Sequence, residues 1–558
     1  MKYNIIQSKI LRVGILGAAL LFGQSCSDSV LDEEIISGIG SDYLNTTAGF
    51  NDGVNATYST LRDWYGTERG HNFTAFGTDI ITNGADGSFK FVNTYGGEFD
   101  SQVSHVREVW DLIYRGINTA NAVIERAPAI TGIAEATKKQ RVAEVKVLRA
   151  HFYFILTRLY GGVDLRLTET VAPTKIATRA TIPQMYAAIL KDLTEALPDL
   201  NNRGQAAEYG RVTKAVAEMM LADIHLTKAT SEAKAADDYA KAATYANNVI
   251  KNYSFRLLPN FADVYRQGNE KNDEIVFATQ FTGSPLTNGG GNNSHVFYLM
   301  EYDVQPGMQR DTENGRPFKR YRPTNYTLNK IFALSNRSTD SRYFKTFRDV
   351  YFSNRPGRYN TSFDKSKPSV TFALGDTAIF DPGFEMSLAE RAKRPYQVLV
   401  PSEYNERFFP ALRKHMDGAR LDRTQFEGTR DYFNYRLGET YLTLSEALLN
   451  SGDKAGAVAA INMVRRRAAW PGREKAMEIT EADMNMELIY EERARELYGE
   501  MQRWFDLKRW GILIERVKAH NSQGAPNITA KHLFRPIPQN QIDRVEGNEA
   551  AFPQNQGY

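Results

Sequence analysis

The chain has 558 residues, of which 42% are hydrophobic, 24% charged and 11% aromatic. That is a globular composition, long enough for two or three domains or for one repeat-built body with a large elaboration. The formal charge is +3, but Lys2, Lys9 and Arg12 belong to an export-type leader, and without them basic and acidic residues balance at 66 each. A near-neutral mature chain lacks the basic surface that a nucleic-acid-binding protein needs.

The leader comes first. A basic start is followed by an apolar run over 10–22, too short to span a bilayer. Cys26, the only cysteine, follows Gly23-Gln24-Ser25. An exported chain with one cysteine cannot close an internal disulfide, so Cys26 is expected to be lipidated as the first mature residue, although Gly23 stands where Leu is commonest in such signals. Residues 1–25 read as a lipoprotein signal peptide and 26–41 as a lipid-anchored tether. No other stretch is apolar enough to cross a membrane.

Apolar residues at helical spacing predict helices over 44–64, 103–127, 137–160, 181–197, 212–226 and 235–251. Gly161-Gly162 stops the third of these. The small residues Ala242, Ala243 and Ala246 mark a close helix contact, and successive helix pairs point to tetratricopeptide-like repeats. Residues 66–98, rich in Gly, Asn, Asp and aromatics, read as loop. From 280 to 408 the chain is again rich in Gly, Asn, Pro and aromatics, with a strand expected at 370–374 and a short helix at 329–335. Helices return at 432–450, 454–469 and 484–511. The predicted fold class is mainly α: a helical repeat scaffold bearing a large irregular loop-rich lobe with a few short strands.

The last helix carries the densest charge. Tyr490, Ala494, Leu497, Met501 and Trp504 fall on one face, with Gly511 as its stop. Glu492, Arg495, Glu496, Arg503 and Asp506 fall largely elsewhere, with Glu491–Arg495 and Asp506–Arg509 close enough to pair. Glu491, Glu492, Glu496 and Glu500 invite an acid/base reading, but interleaved arginines favour a salt-bridged, solvated helix face. No carboxylate pair is placed in a cleft as glycoside hydrolysis requires. The eight histidines are scattered without metal-ligand spacing. Asn288-Gly-Gly-Gly-Asn lacks the Lys-Ser/Thr of a phosphate cradle.

Aromatics in the irregular segments carry the binding hypothesis. Flat rings cover the apolar faces of sugars, and Asn, Asp and Arg bond hydroxyls. The candidate ligand residues are Trp64, Asn83, Asp86, Phe89, Phe91 and Tyr95 in the first segment, and His295, Tyr298, Arg320 and Tyr321 in the second. Trp64, between a helix end and a Gly-Thr turn, is expected to be the most exposed; Trp110, Trp504 and Trp510 are expected to be core.

Several phrases resemble one family. LRAHFYFILTRLYGGVDL at 148–165 is similar to the LRA-x-x-YF-x-L-x-x-x-YG-x-VPL signature of the SusD/RagB family of Bacteroidetes outer-membrane lipoproteins. YRGINTANAVIERA, GRVTKAVAEMMLADIHL, NDEIVFA, YRLGETYLTLSEALLN, INMVRRRA, the 491–511 segment and the tail resemble further family phrases in the family's order. Asp164 and Gln556 stand where the family usually has Pro. The resemblance implies a SusD-like α-α superhelix with an N-terminal helical region at 42–279, interrupted by a binding-loop insertion at about 65–100. A loop-rich lobe at 280–408 and a C-terminal helical region at 409–558 follow. It further implies an outer-membrane lipoprotein facing the cell exterior, which captures oligosaccharides and delivers them to a SusC-like TonB-dependent transporter. It implies no enzyme activity, cofactor or metal. A RagB-like peptide binder with the same transporter is the alternative, and a glycoside hydrolase a remote one. The family fixes no universal ligand residues.

Overall fold

The structure, a computed structural model, describes residues 41–202 and 209–558. The predicted signal peptide, Cys26 and nearly all of the predicted tether lie outside the described residues.

Eleven helices are labelled: α1 (Thr47–Ser59), α2 (Ser104–Arg126), α3 (Glu135–Tyr160), α4 (Ile182–Ala196), α5 (Lys214–Lys228), α6 (Asp238–Asn252), α7 (Leu437–Asn450), α8 (Lys454–Ala468), α9 (Met486–Glu496), α10 (Arg503–Arg509) and α11 (Leu513–His520). They pack as successive pairs, α3 on α4, α5 on α6 and α7 on α8, and α7 also lies against α6. Side-chain caps set several of the starts: Thr46 for α1, a Thr181–Gln184 capping box for α4 and Asp453 for α8. Gly161, at φ +80°, ends α3. Ala242, Ala243 and Ala246 are buried at the α5–α6–α7 contact, as their size predicts. This is the helical scaffold expected from the sequence, with only short strands among the described residues.

Two strand pairs tie distant segments together. β1 (Ile81–Asn83) runs antiparallel to β3 (Tyr321–Pro323), and β2 (Ile275–Thr279) to β4 (Tyr432–Arg436). The helix expected from 432 therefore begins only at Leu437; its first five residues are strand, because β2 supplies a buried partner edge. The intervening lobe has its own core of Leu299, Met300, Tyr302, Tyr351, Phe372 and Ile379. The strand expected at 370–374 is present as Ser369–Phe372. In place of a helix at 329–335 the chain forms a π-helical turn, Thr327–Ile331, and a 3₁₀ turn, Leu334–Asn336.

The expected single helix over 484–511 is two helices. α9 ends at Glu496, Gly499 and Met501 have φ of +82° and +60°, and α10 starts at Arg503. The expectation of a solvated charged face is also overturned. Glu492 and Glu496 are fully buried, and Glu491, Arg493, Arg495, Arg503 and Asp506 are buried as well. Arginines from far along the chain meet them. Arg342 reaches Glu492 at 2.7 Å and Glu496 at 3.1 Å, Arg436 reaches Glu496 at 2.6 Å, and Arg467 also pairs with Glu496. Glu500 accepts from Lys414 and Arg436, each at 2.7 Å. The predicted pairs Glu491–Arg495 and Arg509–Asp506 are present, at 2.7 and 2.9 Å. Burial works against the Glu500 carboxylate, but Arg436 and Lys414 outweigh it and bring its pKa down to about 2. With these partners, the glutamates hold the lobe to the scaffold.

Candidate functional site

Segment 66–98, predicted as loop, is largely interior. Every residue from 70 to 84 is buried, including most of the short helix Glu68–Thr74 and all of β1. Thr67 starts that helix by accepting from the Gly70 amide at 3.3 Å. His71 sits at the centre of the layer beneath. Its two ring nitrogens lie 2.9 Å from the Tyr298 hydroxyl and 2.8 Å from the Ser294 hydroxyl. Burial pushes its imidazole well below the usual pKa, so it is neutral.

This layer absorbs seven of the ten predicted ligand residues: Trp64, Asn83, Tyr95, His295, Tyr298, Arg320 and Tyr321 are each 5% exposed or less. Tyr321 donates to the Asn72 amide oxygen at 2.6 Å, Tyr95 to the Gly77 carbonyl at 2.7 Å, and His295 lies 3.0 Å from the Phe426 carbonyl. Trp64, expected to be the most exposed, is 3% exposed, because the chain turns at Gly66 and packs the ring into the main core. These side chains build the base of a surface; they do not form it. Trp110 and Trp504 are core as expected, and Trp510 is half-buried, donating to Glu446 at 2.7 Å.

Asp86, Phe89 and Phe91 do reach the surface. Beyond β1 the chain stays beside its partner segment: the Gly84 amide donates to the Arg320 carbonyl, Asp86 to Lys319 and Ala85 to Glu406. Phe89 lies flat on His105, centroids 3.7 Å and planes 16° apart, and Phe91 meets it edge-on at 5.9 Å. A second half-buried stack, not anticipated from the sequence, is formed by Phe318 and Phe426 at 5.4 Å and 23°. The guanidinium groups of Arg316 and Arg320 lie 5.3 and 5.4 Å from the Phe318 centroid. Arg320 also pairs with Glu68 and, at 3.4 Å, with Asp86, which ties the Phe318 side to the chain leading to Phe89.

Two further observations bear on this surface. Phe89 and Lys319 adopt left-handed φ of 54° and 53°, an uncommon conformation for non-glycine residues and an outlier for a bulky ring, and they lie on facing segments. Beneath them, Asn83 Oδ1 and Arg320 Nε are buried without a protein hydrogen-bond partner among the described residues. The surface therefore combines flat, half-buried apolar rings with a charged, partly unsatisfied group. It holds no carboxylate pair free of cations: Glu68 and Asp86 both face Arg320. Phe318 had a sequence signal, the basic–aromatic alternation Arg316, Phe318, Arg320, Arg322; Phe426, a lone ring in a polar stretch, had none.

Comparison with known proteins agrees with this architecture. The profile described as "SusD family" matches residues 273–558, and one described as "Starch-binding associating with outer membrane" matches 40–226. The starch-binding protein SusD of Bacteroides thetaiotaomicron is 25% identical over 450 residues, 76% of this chain and 74% of that protein. SusD-like protein P2 of Formosa agariphila is 25% identical over 558 residues, covering 96% of this chain and 97% of its own. A laminarin-binding SusD-like protein superposes with a TM-score of 0.68 over 92% of this chain and all of that one, at 20% identity.

Proposed function

The chain belongs to the SusD family, and from that premise we propose that it is an outer-membrane glycan-binding protein rather than an enzyme. The observation that carries the reading is the pair of half-buried aromatic stacks, Phe89 on His105 and Phe318 on Phe426, together with the Arg320–Asp86 pair. Rings of this kind cover the apolar faces of pyranose units, while Asp86 and Arg316 bond hydroxyls at the rim. Starch and laminarin binding in the names of two relatives supports the same class of ligand. The carboxylates that invited a catalytic reading are engaged by arginines and a lysine, which favours a structural role for them.

In this reading Cys26 carries the lipid anchor, the site faces the exterior, and the captured oligosaccharide passes to a SusC-like TonB-dependent transporter. The direct test is native electrophoresis of the soluble mature chain through gels containing starch, laminarin or other polysaccharides, beside a peptide-binding panel. Retardation by at least one polysaccharide is expected. Binding to peptides with no retardation by any polysaccharide would replace this reading by peptide capture.

A further inference from the structure

The β1–β3 ladder has a second side. Side chains alternate along a strand, so Thr82 and its cross-strand partner Arg322 point away from Asn83 and Tyr321. They open into a separate cavity of about 510 Å³, within the size range of small-ligand sites. The π-helical turn after β3 and the end of α11 complete its walls. Single π turns are rare and recur at functional sites; this one contributes Asn329 and Lys330.

One wall is aromatic. Tyr326 stacks on His520 with centroids 3.9 Å and planes 15° apart, both rings half-buried. The rest is cationic and polar. Arg322 donates from Nε to the Asn83 carbonyl at 2.7 Å, and its terminal amino groups have no protein partner among the described residues. Burial lowers its pKa, against a smaller upward pull from Glu406. Lys518 is exposed and makes no ion pair among the described residues, whereas Lys330 lies 3.2 Å from Glu491. No Asp or Glu lines the cavity. The nearby Glu406 is already engaged by Gln523 at 3.0 Å and Lys90 at 3.6 Å.

A neutral sugar would leave the Arg322 fork without an anion. A carboxylate or sulfate ester would meet it with charge-assisted, bidentate geometry, strengthened by Lys518. We propose that this cavity binds an acidic sugar unit, its ring against Tyr326 and His520 and its carboxylate or sulfate on Arg322 and Lys518. The proposal rests on the glycan-binding reading and narrows it to polysaccharides that carry anionic groups.

Calorimetry on the soluble mature chain tests it with three probes of matched length: oligogalacturonate for the carboxylate, κ-carrageenan oligosaccharide for the sulfate, and a laminari-oligosaccharide as the neutral reference. At least one acidic probe is expected to bind tenfold or more tighter than the neutral one. Its affinity should fall with added salt and drop at least tenfold in Arg322→Gln and in Lys518→Gln, with thermal melting unchanged. Which acidic probe wins identifies the anion. If the neutral probe binds as well as both acidic ones, or if both variants keep the acidic affinity, the acidic-sugar assignment is wrong while glycan binding stands. If none of the three binds, the acidic-sugar assignment is also wrong, and the polysaccharide gels alone decide the wider reading.

Discussion

Arg503 clasps Asp79 across 424 positions of sequence, Nε to Oδ1 at 2.8 Å and Nη2 to Oδ2 at 2.5 Å, with both residues buried. Asp79 stands two residues before β1, and Arg503 opens α10. The pair thus fixes the base of the aromatic surface to the charged C-terminal segment. Removing one partner leaves the other charge buried and alone. Arg503→Ala is expected to lower unfolding stability by about 3–5 kcal/mol, measured by chemical denaturation.

The acid limb of stability should report the buried carboxylates. The Glu500 pKa in the folded chain, about 2, lies below its ordinary value of 4.5. A depressed carboxylate stabilises the fold fully above its unfolded pKa, and that contribution is lost as pH falls through the folded value. Stability is therefore expected to decline between about pH 4.3 and pH 2. Glu500→Gln should flatten part of this decline and destabilise the chain at pH 7, where Arg436 and Lys414 lose their shared partner. Denaturation at a series of pH values measures both effects.

The break between α9 and α10 predicts a backbone effect. Gly499 has φ +82°, and a Cβ there would lie 2.6 Å from Leu412 Cδ2. Gly499→Ala is expected to cost more than about 1 kcal/mol, seen as a lower melting temperature. A continuous helix through 499 would instead be stabilised by the same change.

Membrane attachment should depend on Cys26. Cys26→Ala, expressed without the proposed transporter partner, is expected to move from the outer-membrane fraction to the soluble fraction, checked by cell fractionation and immunoblotting.

Much of the helical scaffold was legible because its signals are local. Apolar periodicity, the Thr181–Gln184 box and Gly161 act within a few residues, and the helices they define lie close to where the sequence puts them. The charged helix at 484–511 was misread for the opposite reason. Its solvation depends on Arg342, Arg436 and Arg467, residues distant in sequence that arrive only when the chain folds. The same holds for the site. Loop composition marked 66–98 as surface although most of it is interior, since an aromatic in a Gly-rich stretch serves core and surface equally well. Trp64 and Tyr321 went into the core, Tyr321 beside His71, whereas Phe89 stayed outward on His105. Phe426 became visible only once it stacked on Phe318, 108 positions earlier in the chain.

The surface that carries Phe89 and Phe318 is expected to capture glycan. The measurement that tests it most directly is binding of the soluble mature chain to an array of plant, algal and microbial polysaccharides, wild type beside a Phe89→Ala, Phe318→Ala double variant. A defined set of signals is expected for the wild type, weakened at least tenfold in the double variant, about 1.4 kcal/mol or more, with an unchanged melting temperature. No glycan signal from the wild type, or the same signals undiminished in the double variant, would contradict it.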